Sequence, residues 1–576
     1  MLCLLRMPAV EAFRFSSASV AMPLGLAYLA GTLEHRGVPF NVLDCVMESP
    51  TTKQRYHKGY LVGLPIEKIP ERIPQNTSIV GISIIFTHEW PAAVRLIDLI
   101  REARPEITII CGGEHITSMP EFSMATSKAD FLVLGEGEEI LIDLLNSIES
   151  GKPVNNIDGI VYREEGKIIS NKRRARRTDL DDIPKPAWHR FDVEAYSKNK
   201  FVGGMDVPYI TVPMLATRGC PYQCTFCSSP NMWTTRWIAR SPRLVVDEME
   251  YYIKKFGARN FPFQDLTAII KKDWIIEICK EILDRGLNIT WQLPTGTRSE
   301  AIDLEVAKLL KKSGQISMTY APESGSDRTR QYIKKKVRSD RLVESLKACA
   351  EADLNVAANV IIGFPHETDE YVAENLPFAR RLKKAGCEDL VAHYYMALPG
   401  TEIFNSLYDA GNLKVNGAYF RHILASVSLW PGLLFNDGRI SKLKLLVWKL
   451  RISLVFYAAS GPRKGQGGLF STFSKMISGL TTREHSSRLQ TAIRHLITSG
   501  FHTIKVQFTN GWLPRCEEAR FFENWPAIFD DIRRQLLTSN VVEQAQTDTT
   551  EIHKISVVPK LRQDHESTRI LNNPNV

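Results

Sequence analysis

Cys220, Cys224 and Cys227 stand as C-PYQ-C-TF-C, three soft thiolates on one short stretch of chain. Thiolates at this density bind an iron-sulfur cluster or zinc. A structural zinc site takes a fourth Cys or His at matching spacing, commonly a second CxxC pair, and none follows here. With three protein ligands, a four-iron cluster keeps one iron open to a small molecule. The spacing therefore favours a [4Fe-4S] site over zinc.

A loop of this kind needs a rigid element behind it. From about 206 to 415, apolar runs at PMLAT, NFPFQD, ITWQLPT, ISMTYAPE, VAANVIIGFP and LVAHYYMALPG alternate with helical stretches such as RLVVDEMEYYIKKFG. This pattern predicts a partial (β/α)6 barrel, whose reactive residues belong at the C-terminal ends of its strands. The cysteines follow the first strand directly. Residues 1–150 show a second alternation, in LCLLRMP, FNVLD, SIVGISIIF, ITIICGG and DFLVLGEGEE with helical patterns between. Strands rich in Val and Ile, separated by helices, predict a doubly wound parallel sheet of α/β class. Ligands of such sheets sit at the carboxyl ends of the strands, where Gly112, Gly113, Glu114, His115, Gly135, Glu136 and Gly137 fall. Residues 151–205, with a charge run and several prolines, read as a linker. Residues 416–540 read as a mostly helical region, and the polar stretch 541–576 as a disordered tail.

The composition suits a soluble enzyme of two or three domains: 576 residues, 44% hydrophobic and 24% charged. The net charge of +9 is modest over this length, and its densest run, Lys172 to Arg177, lies in the linker. No zinc-finger spacing, RNA-binding aromatic motif or long basic helix accompanies it, so nucleic acid is not an expected partner. The start MLCLLRMP is broken too soon by Arg6 and Pro8 for a signal sequence, which predicts a cytoplasmic protein. Ten cysteines, only three of them clustered, argue against an extracellular disulfide framework.

The cysteine loop and its context resemble the radical S-adenosylmethionine superfamily. In that family CxxxCxxC holds a [4Fe-4S] cluster whose open iron binds the amino and carboxylate groups of S-adenosylmethionine. The resemblance implies reductive cleavage to a 5′-deoxyadenosyl radical and an electron donor such as flavodoxin or ferredoxin. Phe226 matches the aromatic position near the adenine. Glu323, Ser324 and Gly325 in YAPESGSD, Gly363 and Pro365 in NVIIGFPHET, and Asp265 in FPFQDLT match strand-end positions near the nucleoside and methionine. Glycines and prolines at strand ends also serve turn geometry alone. Leu266 stands where the family often has a second Asp.

PLGLAYLAGTLEHRG, GGEHITSMPE, DFLVLGEGEE and DLDDIPKPAW resemble the branch of that superfamily with a cobalamin-binding domain ahead of the barrel. This implies cobalamin contacts at Gly112, Gly113, His115, Gly135, Glu136 and Gly137. The DxHxxG pattern of histidine-ligated cobalamin is absent, so His88 and His115 read as polar crevice or loop residues and not as cobalt ligands. The implied reaction is methyl transfer to an unactivated carbon of a small-molecule, lipid or peptide substrate. Two alternatives stand beside it: an oxidative cyclase or rearrangement enzyme resembling the anaerobic magnesium-protoporphyrin ester cyclase, and a non-enzymatic corrinoid or redox sensor.

Residues Ile440 to Tyr457 are interrupted by Lys442, Lys444, Lys449 and Arg451, too many charges for a spanning helix. At about 100° per residue, Leu443, Leu446, Val447, Leu450, Leu454 and Tyr457 share one face. Leu445, Trp448, Ile452 and Phe456 share the other. Packing on both faces is the default expectation, and shallow contact with a membrane surface is the alternative.

Overall fold

The computed structural model describes residues 1–12, 20–56, 59–425, 430–435, 438–462 and 524–535. Residues up to Pro526 form one compact unit, and of the second unit only the helical stretch up to residue 535 is described.

The first sheet has seven strands, in the order Lys167–Ser170, Ile160–Glu164, Phe131–Val133, Thr108–Gly112, Ile79–Ser83, Leu2–Arg6 and Phe40–Asp44. The strands from Phe131–Val133 to Phe40–Asp44 run parallel, and the two at the other edge close it as an antiparallel hairpin. The middle strands are near-continuous buried aliphatic runs, the pattern of a sheet covered on both faces. Helices Leu24–His35, Trp90–Ala103 and Gly137–Ser150 supply that cover. The chain leaves Leu2–Arg6 first toward Phe40–Asp44 and then, on the opposite side, toward Ile79–Ser83. The switch point of the sheet therefore lies between Leu2–Arg6 and Ile79–Ser83.

Residues 151–205, expected as a linker, contain the edge hairpin of this sheet. Its turn is Glu165–Gly166, both with positive φ (50° and 78°), the geometry of a two-residue hairpin loop.

The second sheet is five parallel strands in sequential order: Asn260–Pro262, Thr290–Thr297, Gln315–Glu323, Asn355–Ile362 and Asp389–Tyr394. The expected first strand runs parallel beside Asn260–Pro262 through Thr211 and Met214, completing the six-part arc. Amphipathic helices such as Pro242–Phe256, Lys272–Asp284 and Ser339–Glu351 cover its outside. The two sheets share one continuous body of buried apolar side chains, including Trp188, Phe261, Phe263 and Trp291.

Helix Lys442–Ala458 packs only one of its two apolar faces: Leu445, Ile452 and Phe456 are buried, whereas Leu443, Val447, Leu450 and Leu454 are exposed. Residues 463–523 and 536–540 of the expected helical region, and the whole expected tail 541–576, lie outside the described residues.

Candidate active site

The chain enters the cysteine loop through Thr217–Arg218, and two carboxylates hold that entry. Asp265, at the end of the neighbouring strand, accepts from Ala216 N at 3.1 Å, from Thr217 Oγ1 at 2.6 Å and from Thr217 N. Burial raises its carboxyl to about 6 against the pull of these donors. Asp265 is thus turned toward the protein backbone, where it fixes the approach to Cys220. On the other side, Arg218 donates to Glu136 at 3.0 Å and to Glu138 at 2.6 Å, both beside the N-terminus of the first-sheet helix Gly137–Ser150. Its guanidinium also lies over Tyr28 and Trp233.

The loop itself is stitched to the barrel mouth. Cys227 N donates to Cys224 O, Thr225 N to Ile333 O, and Ile403 N to Thr225 O. Arg298 stacks on Tyr222 at 4.2 Å. Lys335 Nζ donates to Glu323 Oε1 at 3.0 Å, both largely buried. Burial alone would lower the Lys335 ammonium, but Glu323 outweighs it, and this ion pair lies in the electrostatic surroundings of Cys224. Glu323 adopts φ 65°, a strained conformation for a residue with a side chain and one that marks functional positions.

Of the nine described cysteines, Cys220, Cys224 and Cys227 are the half-exposed ones. Burial raises Cys224 and pushes Cys227 up to about 12, a cost that coordination to a positive iron reverses. Among the described residues no three His, Cys, Asp or Glu side chains converge on a single ion position.

Phe226 meets Phe364 edge to face at 5.7 Å, and Phe364 packs on Tyr395, giving an apolar wall beside the cysteines. Glu367 holds the turn behind it, accepting from Gly363 N at 2.6 Å and Phe364 N at 3.1 Å. Burial raises Glu367 to about 7. Pro365 lies half-buried in the same turn. Ser324 and Gly325 are internal: Ser324 Oγ accepts from Ser326 N, and a Cβ on Gly325 would meet Phe378 at 2.6 Å. Two residues of this wall had no sequence signal: the Tyr395 hydroxyl and both ring nitrogens of His366, stacked on Tyr332 at 3.8 Å, are buried without hydrogen-bond partners.

The first sheet's strand ends face the same region, since Ser228, next to Cys227, donates to Glu114. The expected cobalamin contacts divide. Glu136 is committed to Arg218 and Arg176. His115 is buried, with Thr87 Oγ1 at 3.3 Å and Ser123 Oγ at 3.4 Å on its two nitrogens, and burial lowers it to about 3. It is a neutral core residue and offers no free nitrogen. Gly135 has φ 77°, and its N–H donates to Thr117 Oγ1. Gly112 and Gly137 have only ordinary contacts around them.

Gly113, by contrast, is required by the protein itself: with φ 119°, its Cβ would lie 2.2 Å from Ile84 O. Gly113→Val is expected to destabilise the cofactor-free protein by about 3 kcal/mol through overpacking and strain, and Gly112→Ala to leave it unchanged. Thermal melts check this; equal midpoints for Gly113→Val and wild type contradict the packing argument.

The crevice residues that sequence reading missed are Ile85 and Phe86, exposed at the switch point. Their N–H groups both donate to Glu89, at 3.1 and 2.9 Å, and Phe86 stacks on His88. This preset apolar shelf suits a large planar ring. The signal was available: two large apolar residues just beyond a buried strand, at the place where strand order reverses.

Family models match in the same two places. The B12 binding domain model covers residues 11–145 and the Radical SAM superfamily model residues 214–379. An uncharacterized methyltransferase of Pyrococcus horikoshii is 28% identical over 69% of this chain and 81% of its own length. The anaerobic magnesium-protoporphyrin IX monomethyl ester cyclase of Rubrivivax gelatinosus is 28% identical over 62% of each chain. The solved apo structure of OxsB, a cobalamin-dependent S-adenosylmethionine radical enzyme, superposes with a TM-score of 0.60 over 94% of this chain and 80% of that one. At 14% identity that likeness concerns the fold. The chain thus carries a B12-binding domain followed by a radical S-adenosylmethionine superfamily domain. Its cofactors are accordingly a [4Fe-4S] cluster, S-adenosylmethionine and cobalamin, and Cys220, Cys224 and Cys227 are the residues that would hold the cluster.

Proposed function

We propose that this chain is a cobalamin-dependent radical enzyme that methylates an unactivated carbon of a small-molecule, lipid or peptide substrate, taking electrons from a flavodoxin- or ferredoxin-like donor. When bound, the cluster with S-adenosylmethionine supplies a hydrogen-abstracting 5′-deoxyadenosyl radical, and cobalamin supplies a methyl group. The observation that carries the reading is the direct joint between the strand ends of the first sheet and the cysteine loop, through Ser228–Glu114 and Arg218–Glu136. That joint lets one substrate address both cofactors. The chain's own part is positional: Asp265 and Arg218 fix the loop, Phe226 and Phe364 exclude water, and Glu367 holds the turn that carries Phe364.

Likeness to the cyclase of Rubrivivax gelatinosus supports a second reading, oxidative cyclisation without methyl transfer. With methyl-deuterated S-adenosylmethionine, the methyltransferase yields 5′-deoxyadenosine and S-adenosylhomocysteine in near-equal amounts, and the labelled methyl appears in the organic product. Deoxyadenosine without homocysteine product, and an unlabelled organic product, would move the assignment to the cyclase.

A further inference from the structure

Among the described residues no helix is long and apolar enough to cross a membrane, yet one helix carries an apolar face that none of the described residues covers. In Lys442–Ala458, Leu443 (61% exposed), Val447 (44%), Leu450 (51%) and Leu454 (54%) form a single stripe at 4-3-4 spacing. The opposite face is fixed to the barrel. Leu445, Ile452 and Phe456 are buried, Lys444 and Trp448 both hold Asp369 at 2.7 Å, and Tyr457 donates to Asp389 at 3.2 Å. The stripe therefore belongs to a rigid, anchored helix, displayed outward.

Its charge identifies the occupant. Lys442 and Arg451 are exposed on the two flanks of the stripe, the helix carries no carboxylate, and from Gly438 to Pro462 the chain has no Asp or Glu. We propose that helix Lys442–Ala458 is an interfacial anchor that lays Leu443, Val447, Leu450 and Leu454 onto an anionic lipid surface. Apolar side chains enter the headgroup boundary while flanking cations meet lipid phosphates. A second copy is the poorer occupant. A helix of about 25 Å with four exposed apolar residues buries far less than the roughly 800 Å² per partner of a stable interface. Pairing two such faces also brings like charges together. The site lies beside the barrel mouth, since Leu445 touches the Gly363 turn.

The test is co-sedimentation of the full chain, with its cofactors, on vesicles of phosphatidylcholine and phosphatidylglycerol or of phosphatidylcholine alone. Wild type is expected on the mixed vesicles, to be released by high salt, and to stay in solution with the neutral ones. The double variant L450S/L454S should lower the bound fraction about tenfold with an unchanged thermal midpoint, since both side chains are exposed. Should that variant fold poorly, Leu454→Cys carrying a polarity-sensitive fluorophore replaces it, and a blue shift on mixed vesicles is the expected result. The proposal is overturned by failure of wild type to bind, by equal binding of L450S/L454S, by a fluorophore that does not shift, or by a dimer that L450S/L454S dissolves. Slow thiol labelling of Leu454→Cys without lipid, showing the stripe covered by the chain itself, also overturns it.

Discussion

Replacing Cys220, Cys224 and Cys227 together by alanine is expected to take anaerobically reconstituted protein from about four irons per chain to background, and to abolish 5′-deoxyadenosine formation. Among the described cysteines these are the half-exposed ones, whereas Cys3, Cys45, Cys111, Cys279, Cys349 and Cys387 are buried. Cys279 and Cys349 are enclosed in the close-packed apolar core, which leaves no room for a cluster beside them. Alanine at Cys279 or Cys349 should therefore leave iron content intact. The triple variant should keep its fold, because the entry to the loop is held by Asp265 and Arg218 and not by the thiols. Iron analysis, deoxyadenosine measurement and a thermal melt decide the case together. Stoichiometric zinc in oxygen-free wild-type protein would sink the cluster assignment, and deoxyadenosine in the wild type excludes a purely sensing protein.

The parts of this site legible in the sequence share one property: they are local. The three cysteines, the Val- and Ile-rich strands and the barrel order all depend on spacing along the chain. The hairpin Ile160–Ser170 is also local, but the charge run and prolines around it made the segment read as a linker, so its strands were missed. The rest of what was not legible depends on contacts between residues far apart. Asp265 resembles a cofactor ligand by position, but its partners are the backbone of Ala216 and Thr217, supplied by another strand. Gly113 reads as a ligand cradle until Ile84 O is found where its Cβ would be. His115 looks available until Thr87 and Ser123 take both nitrogens. Helix Lys442–Ala458 is intermediate: the two faces could be drawn from its period, but which one packs is decided by Asp369 and Asp389 on the barrel.

Loss of Arg218, which stands just before Gly219 and Cys220, should cost the fold heavily. Its side chain and those of Glu136 and Glu138 are all largely buried. Removing one member of such a pair leaves its partner buried and uncompensated, which costs about 3–5 kcal/mol. Arg218→Met keeps the length and apolar bulk of the stem, so the loss reports charge and not a cavity. The pH dependence gives a second readout. Burial would raise the Glu138 carboxyl, but Arg218 overrides this and holds it below its usual range. A depressed carboxyl contributes stability that is present above the unfolded pKa of about 4.3 and lost as pH falls below it. Without Arg218 the main contributions opposing burial are lost and only Arg177 and a backbone hydrogen bond still counter it, so the Glu138 carboxyl moves up and its charged form stabilises the fold less. The gap in stability between wild type and Arg218→Met should therefore be widest near neutral pH and shrink as pH drops toward 4. Because Arg218 also joins the first-sheet helix to the cysteine loop, the variant should lose iron in proportion to its unfolding. A variant as stable as wild type at pH 7, or a gap that widens in acid, would show that Glu136 and Glu138 are neutralised by other means.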